Sequence, residues 1–220
     1  NLFSVYVKII LSYLLLMILQ SAFSLFAEDS IVMLVLTVLA TIAMIVYAFW
    51  MTVVLTRVSY QAVMTGKVSE EKAKKDVGKV IWPLIAVSII VGIITGLGFI
   101  LLIIPGIILA LMYFAAQYLV IVDKKKIGES LSTSIKMAKG RKWDLFVKLF
   151  VSHLVVGVLY YIAIIIVSII FAALGALVSE EVSGILTLIG VALVVIPFIP
   201  VFVNLSTFTF GHLKKLNGMK

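Results

Sequence analysis

Long apolar runs divide this chain into loops whose charge alternates in sign, and that alternation restricts the fold more than any other feature. All 18 Lys and Arg lie near the two termini, in the loop from Arg57 to Lys79, or in the stretch from Asp123 to Lys148. The two remaining turns, Glu28-Asp29 and Glu180-Glu181, carry four acids and no base. Basic residues beside spanning segments stay on the cytoplasmic side during insertion, so the pattern predicts a multi-pass membrane protein with both termini inside. A bilayer core takes about 20 apolar residues per helix. At 64% hydrophobic and 13% charged residues, the chain could not cover the surface of a soluble domain.

The runs predict an all-α fold, one domain of six transmembrane helices over about 2–27, 31–56, 80–98, 104–122, 144–178 and 182–212. Short outer turns make them three hairpins, with cytoplasmic loops at 57–79 and 123–143. The second helix is expected to continue to a stop at Gly66. Ser69 reads as an N-cap, with Glu70 and Glu71 in the first turn of a short solvated helix through Lys79. Pro83 is placed in the first turn of the third span, where a missing N–H costs little. The link from Phe99 to Ile104 is wholly apolar, so the reversal there is expected inside protein or at the outer interface. Between the fourth and fifth spans, Ile127, Leu131, Ile135 and Ala138 recur at helical spacing, with Lys136 and Lys139 late and Gly140 as the stop. This is the pattern of an amphipathic helix in the inner membrane interface. The first span is too long for a cleaved signal peptide; a first residue other than Met implies residues before Asn1.

In order along the chain stand Gly96-Leu97-Gly98, Ile104-Pro105-Gly106, a span closing on Val122-Asp123, Gly128-Glu129-Ser130-Leu131, and Gly140-Arg141-Lys142-Trp143. This ordered set resembles the six-helix membrane domain joined to some glycerophosphodiester phosphodiesterases, and the related YciC-like membrane proteins. The resemblance covers about a quarter of the chain. It implies a helical membrane domain without an agreed activity. In the fusions the hydrolysis belongs to a separate soluble barrel, so that activity is not carried over.

The residues themselves offer little chemistry. With no Cys and two His, no metal site, cofactor or nucleophile is expected. The net charge of +8 reads as anchoring to anionic inner-leaflet lipid rather than to nucleic acid. Lys136, Lys139, Arg141, Lys142 and Trp143 form the candidate lipid or partner contact. Ser88, Gly92 and Gly96 place small side chains on one helix stripe, suited to helix packing or to an oligomer or partner-protein interface. Gln20, Gln117, His153 and Asn204 are the polar groups at membrane depth, able to line a polar cavity or simply to bond between helices. Pro105, Gly106, Pro197 and Pro200 are candidate hinges or static bends. The expected function is a non-enzymatic membrane scaffold or accessory subunit. The alternative is a transporter or flippase for a lipid or small apolar solute.

Overall fold

In a computed structural model, residues 4–9, 11–12, 15–16, 31–177 and 180–219 are described. They form helices α1 (Ile31–Thr65), α2 (Glu70–Lys74), α3 (Val77–Leu101), α4 (Ile103–Asp123), α5 (Ile127–Ala138), α6 (Lys142–Ala176) and α7 (Glu180–Leu216). The described residues 4–9, 11–12 and 15–16 are helical as well. No strand occurs among the described residues. Among the described residues, four stretches are long and apolar enough to cross a membrane: Leu34–Thr65, Val77–Leu101, Ile103–Asp123 and Lys142–Ala176. Gln20, Glu28 and Asp29 lie outside the described residues.

Local chemistry sets the helix ends. Gly66 adopts φ +66°, a conformation that suits glycine, and its N–H donates to Ala62 O at 3.1 Å to close α1. The Ser69 hydroxyl accepts from the Lys72 N–H at 3.4 Å, capping α2. Lys124, at φ 52°, ends α4, and Gly140, at φ +75°, follows α5.

The third helix starts earlier than its sequence suggests. Asp76 is left-handed at φ 58° and breaks the chain between α2 and α3, so Pro83 lies inside α3 rather than in its first turn. The reason is packing: Val77, Val80, Leu84 and Val87 form one buried stripe, and its first two members pull the helix back past Trp82-Pro83. The far end is also longer than the sequence suggests. Gly98 is helical, and the chain reverses over the single extended residue Leu102. That reversal is not buried in the protein, because Ile100 to Ile104 are all strongly exposed.

The helices α6 and α7 pair most extensively, followed by α3 with α4; α5 lies on α4, and α1 touches both α7 and α3. At the N-terminal end, Tyr6 hydrogen-bonds Ser59 and Ser12 hydrogen-bonds Tyr47, so these two residues meet α1 in antiparallel order. The core is gathered at one end of the bundle. Residues 53–59 of α1 are buried on every side, among Val77, Val80, Leu84, Ala116 and Val120. A second cluster joins Leu119, Met137, Leu145, Phe210 and Leu213. Toward the other end apolar side chains stand open, as at Ile31 (81% exposed) and Leu177 (83%). Water would not tolerate such walls, whereas acyl chains are as apolar as Leu and leave nothing to hide.

Candidate functional site

Charged groups from distant parts of the chain converge at the end of the bundle that holds the core. Arg57, two turns before the end of α1, is only 8% exposed. Its Nε donates to Ile121 O at 2.9 Å, and its Nη1 to Ala73 O at 3.2 Å and Lys75 O at 2.7 Å. One guanidinium thus ties α1 to the end of α2 and to the last turn of α4, supplying donors to carbonyls that helix ends leave open. Nη2 is buried and has no partner.

Beside it lies a pocket of about 300 Å³ lined by Arg57, Tyr60, Gln61, Lys72, Lys75, Val122 and Lys124. Four of these seven are cations. Lys124 donates to Asp76 at 3.1 Å, and Lys79 approaches the other oxygen of the same carboxylate at 3.1 Å. Those two partners hold the Asp76 carboxyl below its usual pKa, with Lys124 the larger influence. Lys72 and Lys75 form no ion pair among the described residues.

Beside Tyr60, less than one turn beyond Arg57 on α1, a second buried cation is paired. Lys214 of α7, 2% exposed, donates to Asp123 of α4 at 2.7 Å. Its Nζ also lies 5.5 Å from the Tyr60 ring centroid and 6.0 Å from that of Phe210. Burial works against the ammonium charge, but the Asp123 carboxylate and the Tyr60 hydroxyl outweigh it and raise the Lys214 pKa.

The helix α5 forms over Ile127–Ala138 with a more polar buried face than its sequence suggests. Ser130 and Ser134 are fully buried beside Met137 and Ala138, and the Ser134 hydroxyl donates to Met112 O at 2.8 Å. The helix therefore rests against α4. Lys136 and Lys139 are exposed, and Arg141 is half-buried with Nη1 unpartnered. Lys142 and Trp143 are exposed, and the Trp143 ring stacks on Phe146, which stacks on Phe150.

Among the described residues, the polar groups at membrane depth do not meet in one cavity. Gln117 spends its amide on the Ser88 hydroxyl at 3.1 Å, bonding α4 to α3. His153 bonds the Ser206 hydroxyl through Nε2 at 2.9 Å and Leu149 O through Nδ1 at 2.7 Å. Asn204 keeps a buried, unpartnered Oδ1. Of the three, only His153 reaches the 430 Å³ groove between α4 and α6, whose other walls include Phe99, Leu111, Phe114, Phe146 and Phe150. Gln117 and His153, on separate helices, each bond a nearby hydroxyl, which is the cheaper solution in a medium without water.

The glycines exchange roles relative to the sequence reading. A Cβ on Gly92 or Gly96 would meet nothing within 4 Å among the described residues, so of the stripe only Ser88, which accepts from Gln117 of α4, meets a neighbouring helix there. The close approach is at Gly98 and Gly106, where a Cβ on Gly98 would come within 3.0 Å of the Gly106 Cα. Pro105 lies in the first turn of α4, and Gly106 N donates to Leu102 O at 3.2 Å. That step is a packing joint at the hairpin. Pro197 and Pro200 both fall within α7, which is helical from Glu180 to Leu216; the surroundings of Pro197 lie outside what is described.

Comparison with known protein families, with curated proteins and with solved structures finds no match.

Proposed function

We propose that the chain is a six-span, non-enzymatic scaffold or accessory subunit of the plasma membrane, with both termini cytoplasmic, that engages anionic lipid through its basic end. The carrying observation is the union of exposed apolar helix walls with cations gathered at a single end of them. The spans beyond the four apolar helices are α7 and the N-terminal segment, whose Tyr6 and Ser12 meet α1 in antiparallel order. The ordered motifs from Gly96 to Trp143 support kinship with the membrane domain of the phosphodiesterase fusions and YciC-like proteins.

The groove between α4 and α6 keeps a second reading in play, a lipid transporter or flippase. Its lining suits an acyl chain, and the absence of Gln117 and Asn204 from its walls counts against a polar solute.

Bromolipid quenching tests the first reading. The full chain is placed in phosphatidylcholine bilayers, and quenching of its three Trp by brominated phosphatidylglycerol is compared with quenching by brominated phosphatidylcholine. A preference for phosphatidylglycerol is expected, reduced when Lys136, Lys139, Arg141 and Lys142 become Gln. Each interfacial cation is worth about 1 kcal/mol near an anionic surface. Equal quenching by the two lipids overturns the lipid contact.

A further inference from the structure

We propose that the pocket between α1, the α2–α3 joint and the end of α4 binds a phosphate group, carried either by a lipid headgroup or by a free phosphate. The inference rests on the lipid-facing reading above and gives its basic end a specific seat.

Three observations carry it. First, four cations surround a space of about 300 Å³, room for a tetrahedral oxyanion with part of an ester arm. Second, two of the four cations are not spent on an acid. Asp76 answers Lys124 and Lys79, while Lys72 and Lys75 have no acidic partner among the described residues. Third, Arg57 lines the pocket at 8% exposure with Nη2 buried and unpartnered. Capping the two helix ends accounts for Nε and Nη1 alone. A purely structural arginine has no need of a cavity beside it, or of two ammonium groups without an acidic partner on the same lining. Arginine with lysines is the donor set that phosphate favours, because the guanidinium offers a planar fork and the ammonium groups add point charge. Tyr60 and Gln61 complete the wall with neutral hydrogen-bonding groups.

The test uses the full chain purified in a neutral maltoside detergent and isothermal titration with three probes: inorganic phosphate, dihexanoyl phosphatidylglycerol and dihexanoyl phosphatidylcholine. Chloride at matched ionic strength is the screening control. The informative variant is Lys72→Gln with Lys75→Gln, because both side chains are exposed and outside the core. Binding of inorganic phosphate, weakened about tenfold in the double variant, assigns the site to a free phosphate. Binding of the short-chain phosphatidylglycerol without inorganic phosphate, weakened in the same way, assigns it to a lipid headgroup. No binding of either anionic probe, or binding that the double variant and wild type share equally, overturns the pocket. A phosphatidylglycerol preference in bilayers that survives in this double variant, but falls with the Lys136–Lys142 changes, leaves the broader lipid reading standing while the pocket fails. Phosphate binding without any bilayer preference does the reverse.

Discussion

The Asp123–Lys214 pair gives the sharpest energetic test, since it joins the ends of α4 and α7 through two charges 2.7 Å apart. Asp123→Asn keeps the shape and removes the negative charge, leaving an ammonium that is 2% exposed. Breaking a buried ion pair from one side costs about 3–5 kcal/mol. The Tyr60 and Phe210 rings, at 5.5 and 6.0 Å, retain part of the cation's stabilisation, roughly 1 kcal/mol. A net loss of about 2–4 kcal/mol is therefore expected. Lys214→Met leaves a carboxylate that is 20% exposed but whose Oδ2 is buried, so it should also cost about 2–4 kcal/mol. The double variant removes both charges from an apolar, aromatic setting and should fall near wild type, within about 1 kcal/mol. Equilibrium unfolding by SDS in mixed micelles, followed by far-UV circular dichroism, measures all four corners of the cycle. Because the folded Lys214 pKa is raised, its contribution is complete below the ordinary value of 10.5 and declines as pH rises through the higher folded value. The advantage of wild type over Lys214→Met should stay level to that point and shrink above it. Additive single-variant losses, with no recovery in the double variant, would refute the buried pair.

Other substitutions test the remaining joints by the same unfolding assay. Gly106→Ala sets a methyl 2.5 Å from atoms of the Phe99 ring and should cost about 1–3 kcal/mol by overpacking, while Gly92→Ala should be neutral or slightly stabilising. A large loss at Gly92 would show a contact that the chain alone does not make. Gly66→Ala places a Cβ at φ +66° and should cost about 1–2 kcal/mol, read as earlier fraying of α1 by amide exchange. The Asp76 pKa is lowered by Lys124 and Lys79, so its stabilisation is present above the ordinary carboxyl value of 3.8 and is lost as pH falls through the depressed folded value. Acidification below that ordinary value should loosen the α2–α3 joint in wild type and leave Asp76→Asn unchanged, as followed by amide exchange at Val77 to Val80.

Features that depend on neighbours in sequence were legible, and those that depend on neighbours in space were not. Gly66, Ser69 and Gly140 punctuate helices through backbone geometry or a bond three residues away, and each stands where its residue type predicts. The α5 helix was readable from its spacing, but its buried face was not. Ser130 and Ser134 look solvated until the Met112 carbonyl is seen to wait for a hydroxyl. Lys214 and Asp123 are 91 residues apart and each resembles an ordinary interfacial charge. The signal that could have found Arg57 was its position: a cation still inside an apolar helix, two turns before the stop at Gly66. At Gly92 and Gly96 no helix of the described chain approaches: composition shows that a helix can approach, never that one does.

The buried cations have a common electrostatic origin. The short helix α2 and the helices α4 and α7 all finish at the charged end, so open carbonyls and the negative ends of helix dipoles collect there. Apolar side chains cannot satisfy Ala73, Lys75 and Ile121 carbonyls, and a membrane interface offers water only from one side. Arg57 answers three carbonyls on two elements with one planar group, which a lysine could not do from the same position. Basic residues of the kind expected to orient a chain during insertion thus also become the donors that close its helix ends. Whatever positive charge remains after that closure, at Lys72, Lys75 and the free nitrogen of Arg57, is what the bundle can offer to an anion.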